Sequence, residues 1–450
     1  IRVVLSSSST FQRYEASANR VMSDNICFPA KLVHSHIQQL QEAGVDRIFM
    51  PIVVFEKKDQ GHQNSYNCPI VSGYAEVVKS VQGDVVPVDS PAITLKEDKL
   101  LLRQCELYLG QLGISKSAVR AAFKQAVEAQ TAYESALQRT NQTIYDEAQA
   151  AGQLTIMLAG RPYHTDPLIQ HKIGDMIAAL GVNVITDDMV RGLSVELDER
   201  QFLSQWAFTN RILKAAQWAG QQPPQLQYMQ FTSFGCGPDA FLTDEVRAIL
   251  RRHGKNLTLL KIDDISNTGS IKLRIRSLVD SLALSLKEKQ AQAAEASVST
   301  PIYTQRDRRR KILAPYFTPF LSPLIPSIIA IEGYDMEILP MSDEDACQWG
   351  LRYSNNEVCY PATLIVGDIV KALRSGRYKA EDICVALTQT GGQCRASNYL
   401  PLIKKALIDN GFGDVPVLSF ALGSGIDNTQ PGFKVNWLRL IPIILSSLLY

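Results

Sequence analysis

Leu154-Thr-Ile-Met-Leu-Ala159 leads into Gly160-Arg-Pro-Tyr-His-Thr-Asp-Pro167, then Leu168 to Leu180, then Gly181 and Val182-Asn-Val-Ile-Thr186. The first run is short, apolar and bounded by a Gly/Pro loop, as a buried strand is. Leu168 to Leu180 has the length and periodicity of a helix, and Gly181 suits its C′ position. Val182 to Thr186 is a second buried strand. Strand, helix and strand in this order make a βαβ unit, so the fold class is α/β with a parallel sheet.

The same alternation continues on both sides. Arg2 to Leu5 reads as a buried strand, Ala30 to Ala43 as a helix ended by Gly44, and Val45 to Val54 as a strand. Ser115 to Ala151 contains neither Pro nor Gly and is rich in Ala, Gln and Glu, which predicts a helical connector. Further on stand a strand at Gln225–Thr232, a helix at Asp239–His253, a strand at Leu257–Ile262 and a helix at Ser270–Leu286. Lys287 to Arg310, with the basic run Arg306-Asp-Arg-Arg-Arg310, reads as a solvated linker. An α/β pattern then resumes: strands at Glu337–Leu339, Ile383–Leu387 and Val415–Phe420, helices at Ala362–Leu373 and Tyr399–Asp409. The expected organisation is an α/β lobe over 1–110, the connector over 111–150, a second lobe over 151–286, the linker over 287–310 and the start of a second module over 311–450.

The chain has 450 residues, with 46 Lys plus Arg against 45 Asp plus Glu, 46% apolar and 20% charged. A net charge of +1 lacks the basic excess that phosphate contacts require, which argues against nucleic acid as a partner. No apolar run reaches the roughly 18 residues of a membrane span. Leu438 to Tyr450 is the most apolar stretch and reads as a core segment. With a strand-like start at Ile1 and this apolar end, the sequence reads as a piece of a longer protein. No secretory signal is apparent, and eight cysteines are too few for a disulfide scaffold, so the expected compartment is a reducing cytoplasm.

The cysteines carry a weak duplication. Asn25-Ile-Cys27-Phe-Pro-Ala30 enters one apolar helix and Glu357-Val-Cys359-Tyr-Pro-Ala362 enters another. Each helix leads to a strand and then to a second cysteine, Cys68 in the first copy and Cys394 in the second. Cys236 sits in Ser233-Phe-Gly-Cys-Gly-Pro-Asp239, again between a strand and a helix. Loops after parallel strands open at the sheet's carboxyl edge, where ligands bind. A thiolate just before a helix is stabilised by the positive end of the helix dipole.

Three thiolates per module suit an iron–sulfur centre with one open iron position. The competing reading is ordinary buried cysteine, which is preferred for Cys105, Cys347 and Cys384. Zinc is disfavoured because no C-x-x-C pair is present. Gly235-Cys-Gly-Pro-Asp-Ala240, followed by Asp263 and Asp264, imitates a dinucleotide loop, but a proline and a cysteine are out of place there. Arg161, Tyr163 and His164 stand at the carboxyl edge of their strand; the two readings are a set that faces the centre or an anionic ligand such as a CoA phosphate, and a purely structural loop.

Cys27-Phe-Pro-Ala-Lys-Leu-Val-His34, Asn64-Ser-Tyr-Asn-Cys-Pro69, Ala159-Gly-Arg-Pro-Tyr-His164, Ser233-Phe-Gly-Cys-Gly-Pro-Asp239, Asn355-Asn-Glu-Val-Cys-Tyr-Pro361 and Gln389-Thr-Gly-Gly-Gln-Cys394 resemble the acyl-CoA dehydratase activase-related proteins. These belong to the 2-hydroxyacyl-CoA dehydratase superfamily, which includes double-cubane cluster proteins. The resemblance implies Rossmann-like lobes and 4Fe-4S or double-cubane clusters held by three cysteines each. It also implies electrons delivered by an ATP-hydrolysing activase domain that lies outside this sequence, an acyl-CoA or small-molecule substrate, and compatibility with a homodimer. Cys27, Cys68 and Cys236 would hold one cluster; Cys359 and Cys394 would contribute to a second, with the second copy truncated. The expected function is therefore a redox module of an activase-driven reductase or dehydratase. The alternative is a non-catalytic scaffold that binds an activase domain or partner subunit.

Overall fold

A computed structural model describes residues 1–58, 64–82, 85–198, 204–262, 268–287, 298–389, 391–421 and 430–449. The chain divides into two compact units, residues 1–197 with 204–296 and residues 198–203 with 297–450.

Unit 1 begins with α1 (Phe11–Ser17) and α2 (Phe28–Glu42), then the short strands β1 (Ile48–Phe49) and β2 (Ile52–Val53). After them come α3 (Pro69–Gln82), β3 (Val88–Asp89), β4 (Ala92–Ile93) and α4 (Asp98–Gln111). The expected strand at 45–54 is split because Pro51 has no N–H to donate to a ladder. Its halves pair separately and in parallel, β1 with β3 and β2 with β4. The strand expected over Arg2–Leu5 does not form: Val3 is 76% and Leu5 86% exposed, and among the described residues no neighbouring strand pairs with the segment. α2 ends as expected, with Gly44 at φ +67°.

The connector is the single helix α5 (Lys116–Ala150), capped by the Ser115 hydroxyl accepting from the Ala118 amide. Its 35 residues span about 52 Å at 1.5 Å per residue. Its first turns meet α4 through Arg120–Glu106, and further on Asn141 Oδ1 accepts from the Thr186 amide at 2.6 Å. α5 therefore ties the first lobe to the second.

The second lobe holds β5 (Thr155–Ala159), α6 (Pro167–Gln170), α7 (Ile173–Ala178), β6 (Asn183–Thr186), α8 (Ala207–Gln221), β7 (Leu226–Ser233), α9 (Gly237–Arg252), β8 (Thr258–Ile262) and α10 (Thr268–Lys287). The four strands are parallel in the order β6-β5-β7-β8. The helix expected over Leu168–Leu180 is broken between α6 and α7 by His171 and Lys172, whose φ of 51° and 57° lie in the left-handed region. Ile156, Leu158, Met229, Phe231, Leu260 and Ile262 form one face of the sheet, and Phe28 and Leu32 of α2 pack into the same cluster. Burying a side chain the size of Phe28 contributes about 1.5–3 kcal/mol, so this contact couples the lobes energetically.

Unit 2 holds β9 (Lys311–Ala314), α11 (Ile325–Ala330), β10 (Met336–Ile338), α12 (Glu344–Tyr353), α13 (Tyr360–Arg374), β11 (Ile383–Gln389), α14 (Tyr399–Asp409), β12 (Val417–Ala421) and α15 (Trp437–Leu449). Its parallel sheet runs β10-β9-β11-β12, the connection pattern of the second lobe repeated. The basic run stays largely exposed but makes specific contacts. Arg310 donates to the Ala380 and Ile383 carbonyls and pairs with Asp307, and Arg308 donates to the Glu332 carbonyl. Residues 288–297 of the expected linker, and Asp263 and Asp264, lie outside the described residues. The core expectation for the final segment holds only in part: Leu440 is buried, whereas Leu438 is 88% exposed.

α12 and α13 touch backbone to backbone. A Cβ on Gly367 would stand 1.7 Å from the Ala346 carbonyl oxygen, and one on Gly350 would stand 2.0 Å from that of Thr363. Gly367→Ala is therefore expected to push the helices apart, at a cost of about 1–3 kcal/mol. Chemical denaturation checks this; an unchanged midpoint would show that the helices are not in such contact.

Candidate functional site

The four cysteines of the duplicated motif and Cys236 all stand at helix N-termini. Cys27, Cys236 and Cys359 are the N-caps of α2, α9 and α13, each with extended backbone and a proline in the first turn. Cys68 directly precedes α3, which starts on Pro69, and its carbonyl accepts from the Ser72 amide. Cys394 caps the 3₁₀ turn Arg395–Asn398 that runs into α14. Proline is tolerated there because the first helical amides have no intrahelical acceptor, and its fixed φ starts the helix immediately after the thiol. The Cys-Pro and Cys-x-Pro spacings thus hold each sulfur at the positive end of a helix dipole.

The first three lie in unit 1 and act on one another electrically. Burial pushes the Cys27 thiol up, the Ala30 amide opposes this, a charge on Cys68 raises it further, and Arg161 lowers it. Burial pushes Cys236 up to about 12, Asp239 adds to this, Arg161 opposes it, and Cys27 also raises it. The Cys236 loop rests directly on the Cys27 loop. Gly235 has φ +73°, and a Cβ there would stand 3.3 Å from the Asn25 carbonyl oxygen and 3.8 Å from the Cys27 nitrogen. Only glycine satisfies both the left-handed backbone and this approach.

Cys68 is placed by a polar seam between the lobes. The Asn64 amide donates to the Ser204 carbonyl at 2.9 Å, Tyr66 to Gln205 at 3.1 Å, and Ala207 back to Tyr66 at 3.0 Å. Asn210 donates to the Asn64 carbonyl, and Asn67 to the Val53 carbonyl and the Glu56 carboxylate. The segment before Cys68 is therefore stitched to the segment before α8. Sequence reasoning missed this seam and α8 itself. The polar run Asn64-Ser-Tyr-Asn67 was its only trace, and polar residues with a buried fate look like loop residues until a partner strand is known.

Arg161 is 7% exposed and its Nε and Nη2 donate to Asp239 Oδ1 at 3.0 and 2.5 Å. Nη2 also donates to Thr209 Oγ1, and Thr232 Oγ1 donates to Asp239 Oδ2 at 2.9 Å. The guanidinium is thus neutralised by Asp239 and braces the loop after β5 against α9. The Tyr163 hydroxyl is pushed well up by burial, then by Cys236 and Asp239. His164 turns the other way. Its Nδ1 accepts from the Arg161 amide at 2.9 Å, and its ring lies against Tyr163 and Phe231. Burial holds its pKa down to about 4, so the ring is neutral. Of the three loop residues, Arg161 and Tyr163 come to the cysteines and His164 supports the loop from behind.

In unit 2, Cys359 Sγ lies 2.9 Å from the Tyr399 hydroxyl, which Cys394 also influences. Cys394 is exposed. Cys384 is fully buried in β11 and pushed up to about 12, as a core cysteine is. Cys105 lies in α4 and Cys347 in α12, where it accepts from the Tyr360 hydroxyl at 3.4 Å. The two copies of the repeat correspond by element: α2 with α13, β1 and β2 with β11, and α3 with α14. Among the described residues, no three His, Cys, Asp or Glu side chains stand close enough to hold one metal ion. No helix among them is long and apolar enough to cross a membrane.

Residues 1–190 match the family model described as "CoA enzyme activase uncharacterised domain". No curated protein matches. Among solved structures, a LacI family transcriptional regulator from Arthrobacter sp. FB24 is 14% identical, covers 60% of this chain and 96% of its own, and has a TM-score of 0.15. The C-terminus of E. coli RcsC, with its linker region and phosphoreceiver domain, is 10% identical over 65% of this chain and 91% of its own, with a TM-score of 0.14. Likenesses this remote carry no argument about fold or function.

Proposed function

We propose that unit 1, whose residues 1–190 match the CoA enzyme activase uncharacterised domain, is an iron–sulfur redox module of an activase-driven, dehydratase-like system. The observation that carries this reading is that three cysteines of one unit each stand at a helix N-terminus, with the Cys236 loop resting on the Cys27 loop and Cys27 feeling the charge of Cys68.

The donor set fits such a group. It consists of thiols alone, which select soft metals and iron–sulfur clusters over calcium or magnesium. Burial pushes the Cys27 and Cys236 thiols towards the protonated form, and a bound cation deprotonates a coordinating thiol outright. The separation that fails for a single ion is not an objection, because a cluster of several irons and sulfides is wider than one ion. When bound, the cluster would supply one-electron chemistry at low potential.

This chain's residues hold and shape the site. Cys27, Cys68 and Cys236 would be the ligands, and three ligands leave one position for substrate or partner. Gly235 seats one ligand loop on the other. The Arg161–Asp239 pair adds no net charge, so the helix dipoles dominate the local field. Phe28 and Leu32, which follow Cys27 on α2, anchor that helix in the core of the sheet. The electron source would be an ATP-hydrolysing activase domain or protein, and the acceptor an acyl-CoA or a second centre involving Cys359 and Cys394. The compartment is the reducing cytoplasm.

Anaerobic reconstitution with ferrous iron and sulfide tests this. The wild type should develop broad visible absorption, and Cys27→Ser, Cys68→Ser and Cys236→Ser should each remove the contribution of the unit 1 centre. Spectra unchanged by all three substitutions would overturn the assignment and leave the scaffold reading.

A further inference from the structure

α9 ends in a turn that fixes the root of one lysine. The Gly254 amide donates to the Arg251 carbonyl at 3.0 Å, the Lys255 amide donates to the Leu250 carbonyl at 2.9 Å, and Gly254 has φ +67°. This is the Schellman arrangement, with glycine at C′ and Lys255 at C″. Just before it, the His253 ring lies on the last turn of α8: a Cβ on Gly220 would stand 2.5 Å from His253 Cδ2. From that root the Lys255 side chain crosses to the end of α8. Its Nζ lies 2.7 Å from the Ala219 carbonyl oxygen, 2.8 Å from that of Gln222, 3.1 Å from that of Pro223 and 2.8 Å from that of Leu226. Lys255 is 6% exposed, and among the described residues no carboxylate pairs with it.

An ammonium group has three protons, so four oxygens cannot each receive one; they surround the charge as they would an ion. The last carbonyls of a helix lack intrahelical donors and stand at the negative end of its dipole. We propose that these four carbonyls form a site for a dehydrated monovalent cation of the potassium or ammonium class, that Lys255 fills it as a tethered ion, and that removing the side chain opens it to the free ion. Rings of backbone carbonyls that replace a hydration shell hold potassium in the same way. Calcium and magnesium draw oxygens in to about 2.3–2.6 and 2.0–2.1 Å and rely on carboxylates, so both the spacing and the neutral donor set argue against them. Tethering spares the cost of capturing a free ion, so in the wild type the clamp does not depend on the salt present. The same helix presents Thr209 to Arg161 and Asn210 to the Asn64 carbonyl. The cage therefore fixes one end of an element that braces the thiol loops.

The test is hydrogen exchange of the full chain, read by mass spectrometry on peptides covering α8 and β7, in potassium, ammonium and choline chloride at equal ionic strength. Wild type, Lys255→Ala and Lys255→Met are compared. Wild-type exchange should be the same in all three salts. Lys255→Ala should exchange faster than wild type in choline, and potassium or ammonium at ten times its dissociation constant should slow that exchange about tenfold. Lys255→Met, which fills the cage with an uncharged chain, should exchange fast in every salt alike. Exchange in Lys255→Ala that is the same in all three salts, whether the variant is folded or unfolded throughout, would overturn the ion site. An equal response to potassium in wild type or in Lys255→Met would also overturn it, since the ion would then be acting elsewhere.

Discussion

Arg161→Ala is expected to destabilise unit 1 by about 3–5 kcal/mol in chemical denaturation, the cost of stripping one partner from a buried ion pair. Asp239 is 2% exposed, and its carboxylate is held by Arg161 and Thr232 in the structure. Without the guanidinium it remains buried, charged and one partner short. Asp239→Leu alone should do comparable damage by orphaning Arg161. The double variant Arg161→Met with Asp239→Leu should recover much of the loss, because removing both charges removes the desolvation cost as well. A single-variant loss below about 1 kcal/mol would show that the pair is not buried in solution.

Acid should unfold unit 1 through His164. Its pKa is held down to about 4 by burial, against 6.5 when unperturbed. Between those values the unfolded chain binds a proton that the folded chain refuses, so unfolding is favoured as pH falls. The sign is that of a depressed base: stability is full above about pH 6.5 and declines steadily until about pH 4. The depression corresponds to about 3 kcal/mol for this one ring, since one pKa unit is about 1.4 kcal/mol. His164→Gln, whose side-chain carbonyl can still accept from the Arg161 amide, should flatten the decline over that interval. Denaturation midpoints measured from pH 7 to 4 check this; parallel curves for variant and wild type would contradict it.

Both predictions concern a loop whose position was legible from its residues and whose inner contacts were not. Thr155–Ala159 and Asn183–Thr186 were legible as strands because short apolar runs, Ile156–Ala159 and Val184-Ile185, bounded by Gly160 and Gly181, have few alternatives. The Cys-x-Pro steps were legible because proline in a first turn and a cysteine before it are local matters. What failed was non-local. Arg2–Leu5 has the composition of a strand but no neighbour to pair with. Val45–Val54 lost its middle to Pro51. The left-handed pair His171 and Lys172 has no glycine to announce it, so nothing in Leu168–Leu180 marks the break. That Gly235 presses on Cys27, and that Asn64–Asn67 is sewn to Ser204–Ala207, are facts about segments far apart in the chain. Both bear directly on the candidate site, since they determine where Cys236 and Cys68 point.

The most direct examination of the thiol site is a crystal structure of anaerobically loaded protein, with data collected at the iron absorption edge. The account predicts an anomalous iron peak in unit 1 enclosed by the sulfurs of Cys27, Cys68 and Cys236, with a position left open on the side without a thiol. Loaded crystals whose iron lies away from these three sulfurs, or in which the sulfurs remain protonated and apart with no density between them, would contradict it.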